Sequence, residues 1–300
     1  MKSTIEKALD RAGKKAPKKE TVLPGNVNDS DEKRELREPT TTEVHESPAK
    51  VRVESDKPIF VIDEAMIEEK GMVSVSGNKT LINEEYREIK RTLLSNGFGP
   101  ISKTLNNSNI IMVSSARPSE GKTFNAINLA LSIAAEQDKT VLLVDADVLK
   151  PSILSSLELE ERKGLMEYLT GEVKSISDVL YHTSIDKLKI VPAGRTHRLS
   201  TELLASQKMH ETIDEFANRY PDRVVIIDTP PLIGITESAV LANFAGQAVV
   251  VVEENRSKMH DIQEAVKRLN PEMAIGFVVN KSVNSEPTDL GYYGYHNYNK

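Results

Sequence analysis

An apolar run, Asn109-Ile110-Ile111-Met112-Val113-Ser114, leads almost directly into Ala116-Arg117-Pro118-Ser119-Glu120-Gly121-Lys122-Thr123, and a long apolar-periodic segment over 123–136 follows. Strand, glycine-containing loop and helix in that order leave few folds open. The loop amides and the helix amino terminus can wrap phosphate groups, Lys122 can reach the terminal phosphates, and the Thr123 hydroxyl can ligate Mg²⁺. One position departs from the usual spacing, because Ala116 stands where the first glycine of such a loop is expected.

The rest of the chain from Leu81 continues the alternation. Apolar runs at 140–145 (TVLLVD), 188–191, 223–228 (RVVIID), 247–252 (QAVVVV) and 273–279 predict strands. Helical periodicity falls at 83–95, 208–220, 237–244 and 258–269. Near-continuous Val and Ile runs mean strands covered on both faces, so the expected fold is α/β, a P-loop NTPase with a mostly parallel sheet and helices on each side. Ligands then bind at the carboxyl ends of the strands. Three carboxylates stand at such ends: Asp145 and Asp147 after one strand, and Asp228, before Thr229-Pro230-Pro231, after another. Mg²⁺ keeps several waters and takes few direct protein ligands, which suits carboxylates so placed.

Composition sets the domain limits. Residues 1–13 read as a short amphipathic helix, in which Ser3 and Glu6 form a capping box and Ile5, Ala8, Leu9 and Ala12 share a face. Residues 14–80 are rich in Lys, Glu, Ser, Thr, Pro and Asn and read as a largely disordered linker. Residues 81–290 form the P-loop domain, and 291–300 a tail holding Tyr292, Tyr293, Tyr295 and Tyr298 among glycines and asparagines. The formal net charge of −6 argues against nucleic acid as a partner, although residues 1–20 carry seven basic side chains against three acidic ones. The absence of cysteine excludes disulfides and thiolate chemistry. No apolar run approaches the ~20 residues that span a bilayer, so a cytoplasmic chain held at the membrane by something else is expected.

Together the loop 114–123, Leu142-Leu143-Val144-Asp145-Ala146-Asp147 and Val225-Ile226-Ile227-Asp228-Thr229-Pro230-Pro231 resemble the bacterial tyrosine kinases, the P-loop autokinases of exopolysaccharide synthesis. Within that family the short amino-terminal segment, the Arg87-Glu88-Ile89-Lys90-Arg91 helix and the Tyr-Gly tail are similar to the branch that accompanies exosortase-linked clusters. The resemblance implies ATP bound along Ala116, Arg117, Pro118, Ser119, Glu120, Gly121, Lys122, Thr123 and Phe124, with Asn280 against the adenine. It further implies Mg²⁺ at Thr123, Asp145 and Asp228, with Asp147 beside them and Asp145 accepting the tyrosine proton. The tail tyrosines are then the phosphoacceptors. Implied partners are further copies packed into a ring through the helix Glu84 to Arg91, an inner-membrane activator of the chain-length-determinant type, and a cognate tyrosine phosphatase. Two departures stand out: Leu149, with Lys150 next, replaces the arginine common after the second Asp, and Arg117 and Ser119 stand where glycine or small residues are commoner. Spatial-positioning ATPases of the septum-site or plasmid-partition type share the fold, but their loop carries an early lysine and two glycines where this chain has Arg117, Pro118 and Ser119. A non-catalytic nucleotide-binding scaffold is the third reading, and the presence of Lys122, Thr123 and all three carboxylates weighs against it.

Overall fold

The computed structural model describes residues 58–75 and 80–282, which belong to one unit. The expected helix at 1–13, most of the linker and the tyrosine tail at 291–300 lie outside the described residues. The elements in chain order are α1 (Glu64–Glu69), α2 (Leu81–Phe98), β1 (Ile110–Ser115), α3 (Lys122–Ala134), β2 (Thr140–Asp145), α4 (Ile153–Ser156) and α5 (Leu165–Leu169). Then come β3 (Tyr181–His182), β4 (Leu188–Val191), α6 (Ser200–Leu204), α7 (Gln207–Asn218), β5 (Arg223–Asp228), α8 (Thr236–Ala242), β6 (Gln247–Glu253), α9 (Met259–Val266) and β7 (Ala274–Asn280). Every long strand and helix read from periodicity is present, with ends shifted by no more than three residues.

Seven strands form one sheet in the order β3-β4-β2-β5-β1-β6-β7. All pairs are parallel except β3 with β4, so the mostly parallel sheet expected from the Val/Ile runs is the fold. The central strands β1 and β5 are buried at every position, which is why their sequences do not alternate. One face packs under α7, α8 and α9, the other under α2 and α3. Register brings Asp145 beside Asp228 at the carboxyl ends of β2 and β5, next to the loop that leaves β1.

Helix α3 is buried along nearly its whole length, yet it carries Asn125, Asn128 and Ser132. Both asparagine side chains and the Ser132 carbonyl are used. Tyr86 Oη donates to Asn125 Oδ1 at 2.7 Å, Asn128 Oδ1 accepts from the Val73 amide at 2.6 Å, and the Ser132 carbonyl accepts from Lys90 Nζ at 2.8 Å. Lys90 also pairs with Glu136 at 2.6 Å. The charged helix α2 is therefore one-sided: Tyr86, Lys90 and Leu93 are buried against α3 while Glu84, Arg87 and Arg91 face outward.

The linker expectation needs a correction at its carboxyl end. Residues 58–75 pack on the domain, with Phe60, Ile62, Met66, Ile67, Met72 and Val73 all buried. Phe60 bridges to Thr183 beside β3, and the Arg162 guanidinium lies 4.1 Å from the Phe60 ring centroid. The surrounding Lys- and Glu-rich composition hides three short apolar pairs that sit where the sheet edge and α3 need covering. Burying one such side chain contributes about 1.5–3 kcal/mol toward the entropy of ordering this strap.

Candidate active site

Backbone geometry shapes the loop between β1 and α3. Gly121 adopts φ +103°, and a Cβ there would stand 1.9 Å from Asn280 Nδ2, so no side chain fits. Ser119 takes φ +68° without being glycine. That conformation costs roughly 1–2 kcal/mol, and the Ser119 carbonyl accepts from Lys281 Nζ at 2.8 Å, which holds it in place. Glu120 is buried and turned inward, where it accepts from the Arg117 amide at 2.7 Å and from Ser257 Oγ. Asn280 donates to the Glu120 carbonyl at 2.9 Å. The tips of β6 and β7 thus buttress the loop from outside.

Inside the loop, the charged groups converge. Lys122 Nζ lies 2.7 Å from Asp147 Oδ2 and 3.6 Å from Asp228 Oδ1. Thr123 Oγ1 donates to Asp228 Oδ2 at 2.7 Å and sits 2.9 Å from Ser152 Oγ. Asp145 is fixed by three amides, those of Ser152 and Ile153 at 3.1 Å and that of Asp147 at 3.2 Å. Asp147 Oδ1 in turn accepts from the Lys150 amide at 3.0 Å.

Burial governs the protonation of this cluster. It pushes both Asp145 and Asp228 well above the usual carboxylate range, and Asp228 adds to the rise at Asp145. Burial alone would lower Lys122, but the charges of Asp228 and Asp147 outweigh it and hold the ammonium above its ordinary value. Asp228 Oδ1 is fully buried and has no hydrogen-bond partner. An unsatisfied carboxylate oxygen is costly, and a divalent cation beside Thr123 and Asp228 would satisfy it. Among the described residues no group of three or more His, Asp or Glu side chains is placed to hold a metal ion.

Two cavities open on these groups. One, of about 350 Å³, is lined by Lys122, Thr123, Phe124 and Asp147, with Leu149 and Lys150 at its wall. The other, of about 850 Å³, is lined by Asp145, Arg162, Lys163, Pro192 and Arg195. Ser152 lines both.

Lys122, Thr123, Asp145, Asp147 and Asp228 are brought together as the motifs led us to expect. Three loop residues point elsewhere: Ala116 is fully buried, Glu120 braces the loop, and Arg117 extends outward to a two-pronged pair with Asp261 at 3.0 Å. Leu149 is 44% exposed and leaves no charge where an arginine is common. Ser152 was not legible as a site residue. Its signal, a helix-start serine after Pro151, reads equally well as an ordinary cap.

The AAA domain family matches residues 108–275. The tyrosine-protein kinase YwqD of Bacillus subtilis is 28% identical over 228 residues, 75% of this chain and 92% of that protein. The tyrosine-protein kinase CpsD of Streptococcus agalactiae is 31% identical over 195 residues, 64% of this chain and 82% of that protein. The tyrosine-protein kinase ptk of Acinetobacter johnsonii is 29% identical over 174 residues, and there the chain spans only 23% of the relative's length. Among solved structures, the chimerical protein CapA2B2 superposes with TM-score 0.61 at 25% identity, over 75% of this chain and 94% of that one. The VpsO kinase domain superposes with TM-score 0.53 at 29% identity, over 67% and 97%. Strand order, phosphate loop, strand-tip carboxylates and these relatives lead to one assignment: the chain belongs to the bacterial tyrosine-protein kinase family and is a protein-tyrosine kinase.

Proposed function

We propose that this chain is an ATP-dependent autokinase that phosphorylates Tyr292, Tyr293, Tyr295 and Tyr298 on the tail of another copy, and thereby regulates exopolysaccharide synthesis, chain length or export. The observation that carries this reading is the pair of cavities meeting at Ser152, one beside Lys122 and Thr123 and one beside Asp145. A phosphoryl donor and a tyrosine acceptor need two such approaches to one set of charges. Phosphoryl transfer asks mainly for positioning and neutralisation of charge.

In this reading Thr123, Asp145 and Asp228 hold Mg²⁺, which when bound neutralises the phosphates. Lys122 faces the terminal phosphates, and its ammonium stays charged because Asp228 and Asp147 offset the effect of burial. Asp145 takes the tyrosine proton. Its three amide donors fix the carboxylate in place for that role. The bound Arg117–Asp261 pair speaks against a partition-type ATPase, since the side chain at that position is engaged within its own chain.

Partners follow from the same reading: a ring of copies, an inner-membrane chain-length-determinant-type activator and a cognate tyrosine phosphatase, with no nucleic acid. No described helix is long and apolar enough to cross a membrane, which fits attachment through that activator. The exosortase-linked branch is part of this proposal and rests on the sequence resemblance.

Phosphotyrosine mass spectrometry on protein incubated with Mg-ATP tests the function. Lys122→Met should abolish transfer, and deletion of 291–300 should remove most phosphotyrosine while ATP binding persists. Phosphate found mainly on the half-buried Tyr168 or the buried Tyr181 would refute the tail as acceptor.

A further inference from the structure

A tyrosine acceptor needs a reachable hydroxyl and surroundings that tolerate the phosphate dianion left behind. Of the four tyrosines among the described residues, Tyr86 and Tyr181 are buried, and Tyr168 is half-buried with Lys208 Nζ 4.0 Å from its ring centroid. Tyr220 alone of these is exposed, at 38%. It lies between the end of α7 and the start of β5, at the opposite end of that strand from Asp228.

Cations surround it. The Arg223 guanidinium is centred 3.9 Å from the Tyr220 ring and that of Arg219 5.6 Å. Arg223 is 6% exposed, and among the described residues no carboxylate forms an ion pair with it. Asp222, next in sequence, accepts from Thr140 Oγ1 at 3.0 Å. Lys189 on β4 feels both guanidinium charges, which with burial lower its proton affinity. Glu215 is taken up by Arg219. Asp222 favours the Arg223 charge without an ion pair to it, so a buried guanidinium facing an exposed phenol remains open to an anion.

We propose that Tyr220 is a second phosphoacceptor, modified in trans by another copy of this chain and received by Arg219 and Arg223; the proposal rests on the autokinase reading above. The Tyr220 Oη forms a bond to the γ-phosphorus of ATP, the bond from that phosphorus to the β–γ bridging oxygen breaks, and ADP leaves. The phenolic proton passes to the base of the phosphorylating copy. Transfer within one chain is ruled out by distance, because the six residues of β5 separate Tyr220 from the site by about 17 Å. The carboxyl end of α7 opposes an anion with about half a unit charge, and the two guanidinium groups against the ring act the other way on a group carrying roughly −1.5 to −2.

The test mixes two chains. The acceptor carries Lys122→Met and phenylalanine at the four tail tyrosines; the active chain carries Tyr220→Phe and an unaltered tail. After incubation with Mg-ATP, phosphopeptide mass spectrometry should find phosphate on Tyr220 of the acceptor, increasing with the concentration of the active chain. Arg219→Gln in the acceptor should cut that yield by about threefold or more while tail phosphorylation of the active chain is unchanged. Phosphorylated tails together with an unmodified acceptor Tyr220 would overturn the second site and leave the autokinase reading standing. No phosphotyrosine on either chain would overturn both. Equal yield with Arg219→Gln would remove the cations as the selecting feature and overturn the proposal as stated.

Discussion

Asp145 and Asp228 lie side by side on neighbouring strands, both without solvent, and their shared burial has a measurable consequence for stability. Both carboxyls hold a proton to higher pH when folded than the ~3.9 of an unfolded aspartate. The folded state therefore binds more protons, and this contribution to stability is complete below the unfolded value and lost as pH rises through the folded ones. Without nucleotide or magnesium, the wild type should lose stability from this pair as pH rises from 4.5 to 7. Glu167, Glu237 and Asp261 shift downward instead, so their contributions have the opposite sense and are lost as pH falls from about the unfolded values. Asp145→Asn should flatten the slope in urea midpoints measured across that rise in pH, since one member no longer titrates. A variant as steep as the wild type would show that the pair is not buried as described. The three carboxylates and Lys122 were legible in the sequence because each follows a strand or loop directly. Glu120 and Ser152 were not, because their meaning depends on partners far off in the chain: Ser257 for Glu120 and Thr123 for Ser152.

Periodicity found the long elements and missed the strap. Strands covered on both faces announce themselves as Val and Ile runs, whereas the apolar pairs of 58–75 are too short to carry a period. Their role comes from what they cover: the open edge at β3 and the flank of α3, where Asn128 takes the Val73 amide. Phe60 is 2% exposed and also stacks with Tyr181, ring centroids 5.1 Å apart. Phe60→Ala should cost about 3–5 kcal/mol, the usual range for a buried ring replaced by methyl. Chemical denaturation measures the loss, and limited proteolysis should show earlier cleavage near residue 60. A loss of only a few tenths of a kcal/mol would mean that this segment rests on the surface without stabilising it. Arg162 connects the strap to the larger cavity, since the same side chain stacks on Phe60, donates to the Pro58 carbonyl at 2.6 Å and lines the space beside Asp145. Changes in the strap should therefore reach tyrosine transfer before they reach ATP binding.

At the scale of assembled copies, α2 offers a surface that its own domain leaves free. Tyr86, Lys90 and Leu93 anchor it, so Arg87 and Arg91 are fixed on the outward side, with Arg87 paired to Glu84 one turn away. If tails are phosphorylated by neighbours, unphosphorylated chains should assemble through this helix. Each phosphate adds about −1.5 to −2 charges to a chain already at −6. Phosphorylated tails gathered around a ring repel one another and no longer match a site that accepts neutral tyrosine, so phosphorylation should favour monomers. Screening limits the effect to separations near ~10 Å at 0.1 M salt, and the shift should weaken as ionic strength rises. Light scattering of Lys122→Met protein against phosphorylated wild type measures this, with Arg87→Ala plus Arg91→Ala as the interface control. The first should be the larger species and the control should stay monomeric in both phosphorylation states. Equal mass for the two phosphorylation states would remove the switch, while an unchanged oligomer in the double variant would show that the outer face of α2 is solvated and holds no neighbour.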